Sequence, residues 1–95
     1  MVPMTPRRLA EIRNALGLSQ EKIAQLLGVS FASVNRWEGG ASSPTGPTLD
    51  IYRALDAALR AGYRGNQILA AATGDRGQFL YRLFAFAYGR KRGVA

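Results

Sequence analysis

Between Ser30 and Arg36 the chain reads "SFASVNR": two hydroxyls, a phenyl ring, a methyl group, a carboxamide and a guanidinium within seven residues. Arg36 offers a planar fork of donors, Asn35 a donor beside an acceptor, and Phe31 and Ala32 apolar contact. Such groups recognise the edges of another molecule; they do not move protons or electrons. Reactive side chains are scarce elsewhere too. The chain has no Cys, which removes disulfides, thiolate metal sites and a Cys nucleophile. It has no His, the commonest metal ligand and general base, and only six carboxylates. Neither an enzyme, a metal site nor a cofactor is expected.

The recognition groups face outward only if the chain holds them on a helix whose other side is anchored. Ser30 can cap a helix running to about Glu38, and the spacing of Val34 and Trp37 turns both inward. That leaves Ser30, Phe31, Ala32, Ser33, Asn35 and Arg36 as the outward group. Before it, Ser19 can cap a helix with Ile23, Ala24 and Leu27 on its inner face, and Gly28 supplies the left-handed residue that ends it. Two helices that cross steeply over a short turn need a small residue at the crossing and Gly in the turn, and Ala24 and Gly28 meet both needs.

The rest of the chain reads as further short helices between Gly and Pro. Thr5 and Pro6 open a helix carrying Leu9, Ile12, Arg13 and Leu16, which Gly17 stops. "GGASSPTGP" is a loop. A fourth helix begins near Thr45 to Thr48, presents Leu49, Tyr52, Leu55 and Leu59, and closes at Gly62. A short fifth helix spans Asn66 to Thr73. Asp75 and Gln78 form a D-x-x-Q cap for a sixth helix, to about Tyr88. No strand alternation and no internal repeat is visible, so the fold class is all-α.

With 95 residues, nearly half of them hydrophobic, the chain fits one packed domain. The opening "MVPMTPRR" lacks the apolar core of a signal peptide, and no apolar run approaches the ~20 residues of a membrane span, so a cytoplasmic location is expected. The net charge is +7, which favours a polyanionic partner. Residues 1–40 carry five basic and three acidic groups; residues 75–95 carry five basic groups and one acidic.

The run "LGLSQEKIAQLLGVSFASVNRWEGG", residues 16–40, resembles the helix-turn-helix of the phage repressor and Cro family, also called the xenobiotic-response-element family. The resemblance extends over roughly residues 5 to 60. It implies a lambda-repressor-like core of about five helices plus a C-terminal helix. It also implies double-stranded DNA as partner, with the helix 30–38 in the major groove. Base-facing positions of the family fall on Phe31, Ala32, Asn35 and Arg36. Positions near phosphates fall on Gln20, Ser30 and Ser33; Ser19 and Lys22, at the amide end of the second helix, join them. Arg13 and Glu38 match a pair that commonly bridges the first and third helices. The residue chemistry agrees: Arg36 suits guanine O6 and N7, Asn35 suits adenine, and Phe31 and Ala32 suit thymine methyls. Packing of Phe31 on a neighbouring helix is an equal alternative. The loop after the motif carries no Lys or Arg. Nonspecific affinity is therefore expected from Arg7, Arg8, Lys22 and the run "GRKRG", although such a run is more often a solubilising tail.

Residues 1–62 are accordingly read as the DNA-binding domain, and 63–95 as a helical segment for dimerisation with a basic tail. In "FLYRLFAFAY" the apolar arc is broader than one small core requires. Phe79, Leu83, Phe84 and Phe86 are the expected interface of a homodimer, as the family's paired half-sites imply; a helix lying on a membrane surface is the lesser reading. The expected function is a sequence-specific, dimeric transcriptional repressor. One alternative is an antitoxin that represses its own operon and grips a toxin protein, since "RWEGGASSPTGPTLDIYRALDAAL" is similar to part of some antitoxins. Another is a protein-interaction adaptor that binds no DNA. Arg36→Ala is expected to cost ~1–3 kcal/mol on the cognate duplex and to relax preference at one base, measured by competition with single-base variants. A uniform loss across sequences would place Arg36 on phosphate instead.

Overall fold

The computed structural model describes residues 4–72 and 74–89. Among them are six helices and no strand: α1 (Pro6–Ala15), α2 (Gln20–Leu27), α3 (Phe31–Glu38), α4 (Gly46–Arg60), α5 (Gly65–Ala70) and α6 (Arg76–Tyr88). Short polar residues set the starts. The Thr5, Ser19, Ser30 and Asp75 side chains each accept from the backbone N–H three residues on. Each cap satisfies a donor the helix cannot pair internally, worth about 1 kcal/mol. At α6 only half of the expected reciprocal cap forms, because the Gln78 side chain turns outward and accepts from Arg82 at 3.2 Å.

One core runs through all six helices. Leu9, Ile12 and Leu16 of α1 meet Ile23, Ala24 and Leu27 of α2, Val34 of α3, and Ile51, Tyr52 and Leu55 of α4; Ile68, Phe79 and Leu83 close the far side. Each large side chain buried in this way contributes about 1.5–3 kcal/mol. The division at residue 62 therefore separates stretches of sequence, not bodies, since Phe79 and Leu83 belong to the same core as Leu9.

Three expectations are corrected here. The fifth helix is shorter than Asn66 to Thr73: it ends at Ala70, and Thr73 lies outside the described residues. Helix α4 is buried on more than one side, for Ile51, Ala54 and Ala58 are as enclosed as Tyr52 and Leu55, while Leu49 and Leu59 stay half-buried. The cause is that α1 packs on one flank of α4 and α6 on another. Third, Phe79 and Leu83 are 2% and 0% exposed, so they are core residues and not free for a dimer interface. Phe84 and Phe86 are half-buried. Trp37 points inward as expected: half-buried, it packs against this core and meets the fully buried Tyr52 edge-on at 6.2 Å.

The second half is drawn tightly onto the first at Gly65. A Cβ there would sit 2.5 Å from the Ala15 carbonyl oxygen, so the start of α5 presses its backbone on the end of α1. Only a residue without a side chain permits that approach.

Tyr52 is enclosed with its hydroxyl unpaired among the described residues. Burial, reinforced by the nearby Glu38 charge and opposed by Arg13, pushes its pKa from 10.0 to about 12. Above pH 10 the unfolded chain ionises this group while the folded chain keeps its proton. Stability should therefore fall as pH rises from 10 to about 12, and Tyr52→Phe should remove that part of the fall. At neutral pH the variant should be as stable as the parent or more so, by about 1 kcal/mol, because an unpaired buried hydroxyl is gone. Urea denaturation of both proteins across this pH range checks both outcomes.

Candidate nucleic-acid interface

Helix α2 starts at the Ser19 cap, whose oxygen accepts from Lys22 N at 3.1 Å. It ends at Gly28, φ +76°. The left-handed residue folds two N–H groups back on the helix: Gly28 N donates to Gln25 O at 3.2 Å and Val29 N to Ala24 O at 3.0 Å. This closure ends a helix and aims the chain sharply aside. Two residues later the Ser30 oxygen accepts from Ser33 N at 3.1 Å and starts α3. Val34 is fully enclosed and fastens α3 from beneath.

The opposite side of α3 is open. Phe31 is 51% exposed, so it is not a core residue. Ala32, Asn35 and Arg36 are exposed with it. The Arg36 guanidinium and the Lys22 ammonium have no partner among the described residues. Ser33 is half-buried, and its hydroxyl shares a 2.9 Å hydrogen bond with that of Ser30. By helical spacing Phe31, Ala32, Asn35 and Arg36 fall on one side of α3, and all four are exposed.

A polar chain beneath that surface ties it to α1. Arg13 Nε donates to Glu38 Oε2 at 2.8 Å and its terminal nitrogen to Oε1 at 3.0 Å, a two-pronged pair. A third donor of Arg13 reaches Leu18 O at 2.9 Å. Gln20 Nε2 donates to Glu38 Oε1 at 3.0 Å, and Gln20 Oε1 accepts from Asn35 Nδ2 at 3.1 Å. Gln20 thus keeps one N–H for an anion. Asn35 keeps one N–H and its Oδ1. Burial alone would raise the Glu38 pKa, but the hydrogen bonds from Arg13 and Gln20 and the Arg13 charge outweigh it and hold the carboxyl below its ordinary value.

Of the basic groups expected to draw in a polyanion, Arg8 is corrected. It is half-buried and donates to Asp56, at 2.9 Å from Nε and again from a terminal nitrogen. Asp56 is itself 5% exposed and also accepts from Arg60, so Arg8 serves the fold by sparing a buried carboxylate from standing alone. Arg7 stays exposed and pairs loosely with Glu11 at 3.5 Å. The basic residues of "GRKRG" lie outside the described residues.

One contributor escapes a reading of the sequence. Arg76, at the first position of α6, donates to Leu26 O and to Leu27 O, both at 2.7 Å. It therefore meets the end of α2, about fifty residues away in the chain. No local pattern signals such a contact.

Glu38→Gln should cost about 3 kcal/mol at neutral pH, since it leaves the Arg13 fork without its counter-charge. The folded-state pKa of Glu38 lies below 4.5, so its stabilisation is complete above pH 4.5 and is lost as pH falls through the folded value. The gap in unfolding free energy between parent and variant should accordingly narrow below pH 4.5, as denaturant titrations at several pH values would record.

Comparison with known proteins agrees with this geometry. A family model described as Helix-turn-helix matches residues 9–55, from the first buried residue of α1 to Leu55 of α4. No curated protein and no solved structure matches the chain. With α2, the Gly28 turn and α3 inside the matched span, the chain carries a helix-turn-helix domain of the phage repressor and Cro family over residues 9–55.

Proposed function

We propose that the protein is a sequence-specific regulator of transcription that binds double-stranded DNA and reads the major groove with α3. The observation that carries this reading is the two-sidedness of α3. Val34 is fully enclosed, while Phe31, Ala32, Asn35 and Arg36 stand exposed on a helix-turn-helix of a DNA-binding family. In the groove Arg36 takes guanine, the free N–H and Oδ1 of Asn35 take adenine, and Phe31 and Ala32 meet thymine methyls. Ser19, Gln20, Lys22, Ser30 and Ser33 lie near the phosphates, where the amide ends of α2 and α3 and the Lys22 charge favour an anion.

The protein acts as a homodimer and represses by occupying its operator. Tyr81 and Tyr88 are 79% and 60% exposed on α6, and half-buried Phe84 stacks on Tyr88 at 6.1 Å, whereas Phe86 stacks on Tyr63 at 4.4 Å. An aromatic surface of this kind supports a second copy as partner. It equally favours the second reading, in which α6 grips a toxin protein or another protein partner.

In vitro selection from random duplexes, followed by a salt titration, tests the proposal. The expected outcome is a palindromic site with half-sites about one helical turn apart and an affinity that falls steeply with salt. Replacing thymine by uracil opposite Phe31 should weaken the parent and leave Phe31→Ala unaffected. Failure to bind any duplex at low salt overturns the regulator and leaves the protein-interaction reading.

A further inference from the structure

We propose that Arg76 is a positioning residue for base readout: from the first turn of α6 it holds the end of α2, and so the turn that aims α3. This rests on the DNA-binding reading above and adds to it a residue outside the span that the helix-turn-helix family covers.

The carbonyls at the end of α2 carry the argument. A helix leaves its last four carbonyls without intrahelical partners. In α2 these belong to Ala24, Gln25, Leu26 and Leu27. The Gly28 closure satisfies the first two, through Val29 N and Gly28 N. The second two accept from Arg76, one terminal nitrogen to each, at 2.7 Å. A guanidinium suits this place twice over. Its donors are fixed in one plane, and its charge lies at the negative end of the helix dipole. It also lies flat against the turn itself, since a Cβ added at Gly28 would stand 3.3 Å from an Arg76 terminal nitrogen.

Arg76 can position because its own backbone is held. The Asp75 cap accepts from Gln78 N at 2.9 Å and fixes the first turn of α6. Phe79 and Leu83 then lock the helix into the core. The fork thus extends from a rigid base to the two carbonyls that precede the turn. Its worth as plain stability is small. The contact with Leu26 O is exposed, so water can replace it. Orientation is another matter, because water does not set the angle between α2 and α6. A small loss of angle moves Asn35 and Arg36 off the base edges but leaves phosphate contacts within reach, since those are less directional.

The test uses the full chain and the variants Arg76→Gln and Arg76→Lys. Two readouts are taken under conditions where all three are folded: binding to the selected operator and to random duplex, and amide exchange at Gly28 and Val29. For Arg76→Gln the operator-to-random affinity ratio should fall about tenfold, as expected for losing a charged hydrogen-bonding contact, with the salt slope and random-duplex affinity unchanged. Exchange at Gly28 and Val29 should quicken by a similar factor relative to the core. Arg76→Lys keeps the charge but not the fork, and should recover stability without recovering the ratio. If Arg76→Gln does not fold, the Lys variant decides by the same readouts. An equal loss on operator and random duplex, a shallower salt slope, or no change in either readout overturns the proposal. If the parent binds no duplex, the DNA-binding reading fails and base readout with it; quickened exchange at the turn would then still show Arg76 holding α2.

Discussion

The pair between Arg13 and Glu38 is the contact on which the attitude of α3 depends. Helix α3 has eight residues and one fully buried side chain, Val34. A helix so short does not persist alone, and one anchor leaves it free to roll. Trp37 packs on Tyr52, and Glu38 beside it adds a polar anchor at the other end of the helix. Its carboxylate is gripped by two Arg13 nitrogens, and Arg13 is itself tied to Leu18 O. The side chains are 17% and 6% exposed, so water neither screens the pair well nor competes easily for it. Gln20 and Asn35 hang from the same carboxylate in sequence, which ties an amide on the open face to an ion pair beneath it.

The positive charge of the chain is divided between two tasks. Arg8 serves Asp56, Arg13 serves Glu38, and Arg76 serves the carbonyls of α2. Each offsets a buried negative group or a helix end that the fold would otherwise leave unpaired. Lys22 and Arg36 are spared that service and stand free on the elements that form the helix-turn-helix. Net charge therefore describes the attraction of the whole molecule to a polyanion less well than the short roster of uncommitted cations does.

Local grammar made much of this legible in the sequence. Thr5, Ser19, Ser30 and Asp75 cap where short polar residues before apolar periodicity should cap, and Gly28 adopts the left-handed turn it was expected to adopt. The Arg13–Glu38 pair followed from the family resemblance. The errors arise where one residue type serves two environments. The apolar arc of α6 exceeded what a small core was thought to need, because the burial of α4 on two flanks could not be read from α4 alone; Phe79 and Leu83 fill that second flank. Arg8 looked like a solvated charge because Asp56 is 48 residues away. Arg76 is illegible for the same reason: a guanidinium says nothing locally about which carbonyls it will meet.

The two-sided burial of α4 bears on what can be moved between proteins. The family span closes at Leu55, partway along α4. Ala58 lies beyond it and is fully enclosed, as are Ile68 and Leu83 farther on. A segment cut at the edge of the family span would bare the flank of α4 that α6 covers, and would part Ala15 from the backbone of Gly65. In this molecule the family motif and the buried core occupy different lengths of chain. Recombination that respects the first without the second would transplant a helix-turn-helix stripped of the flank that α6 covers.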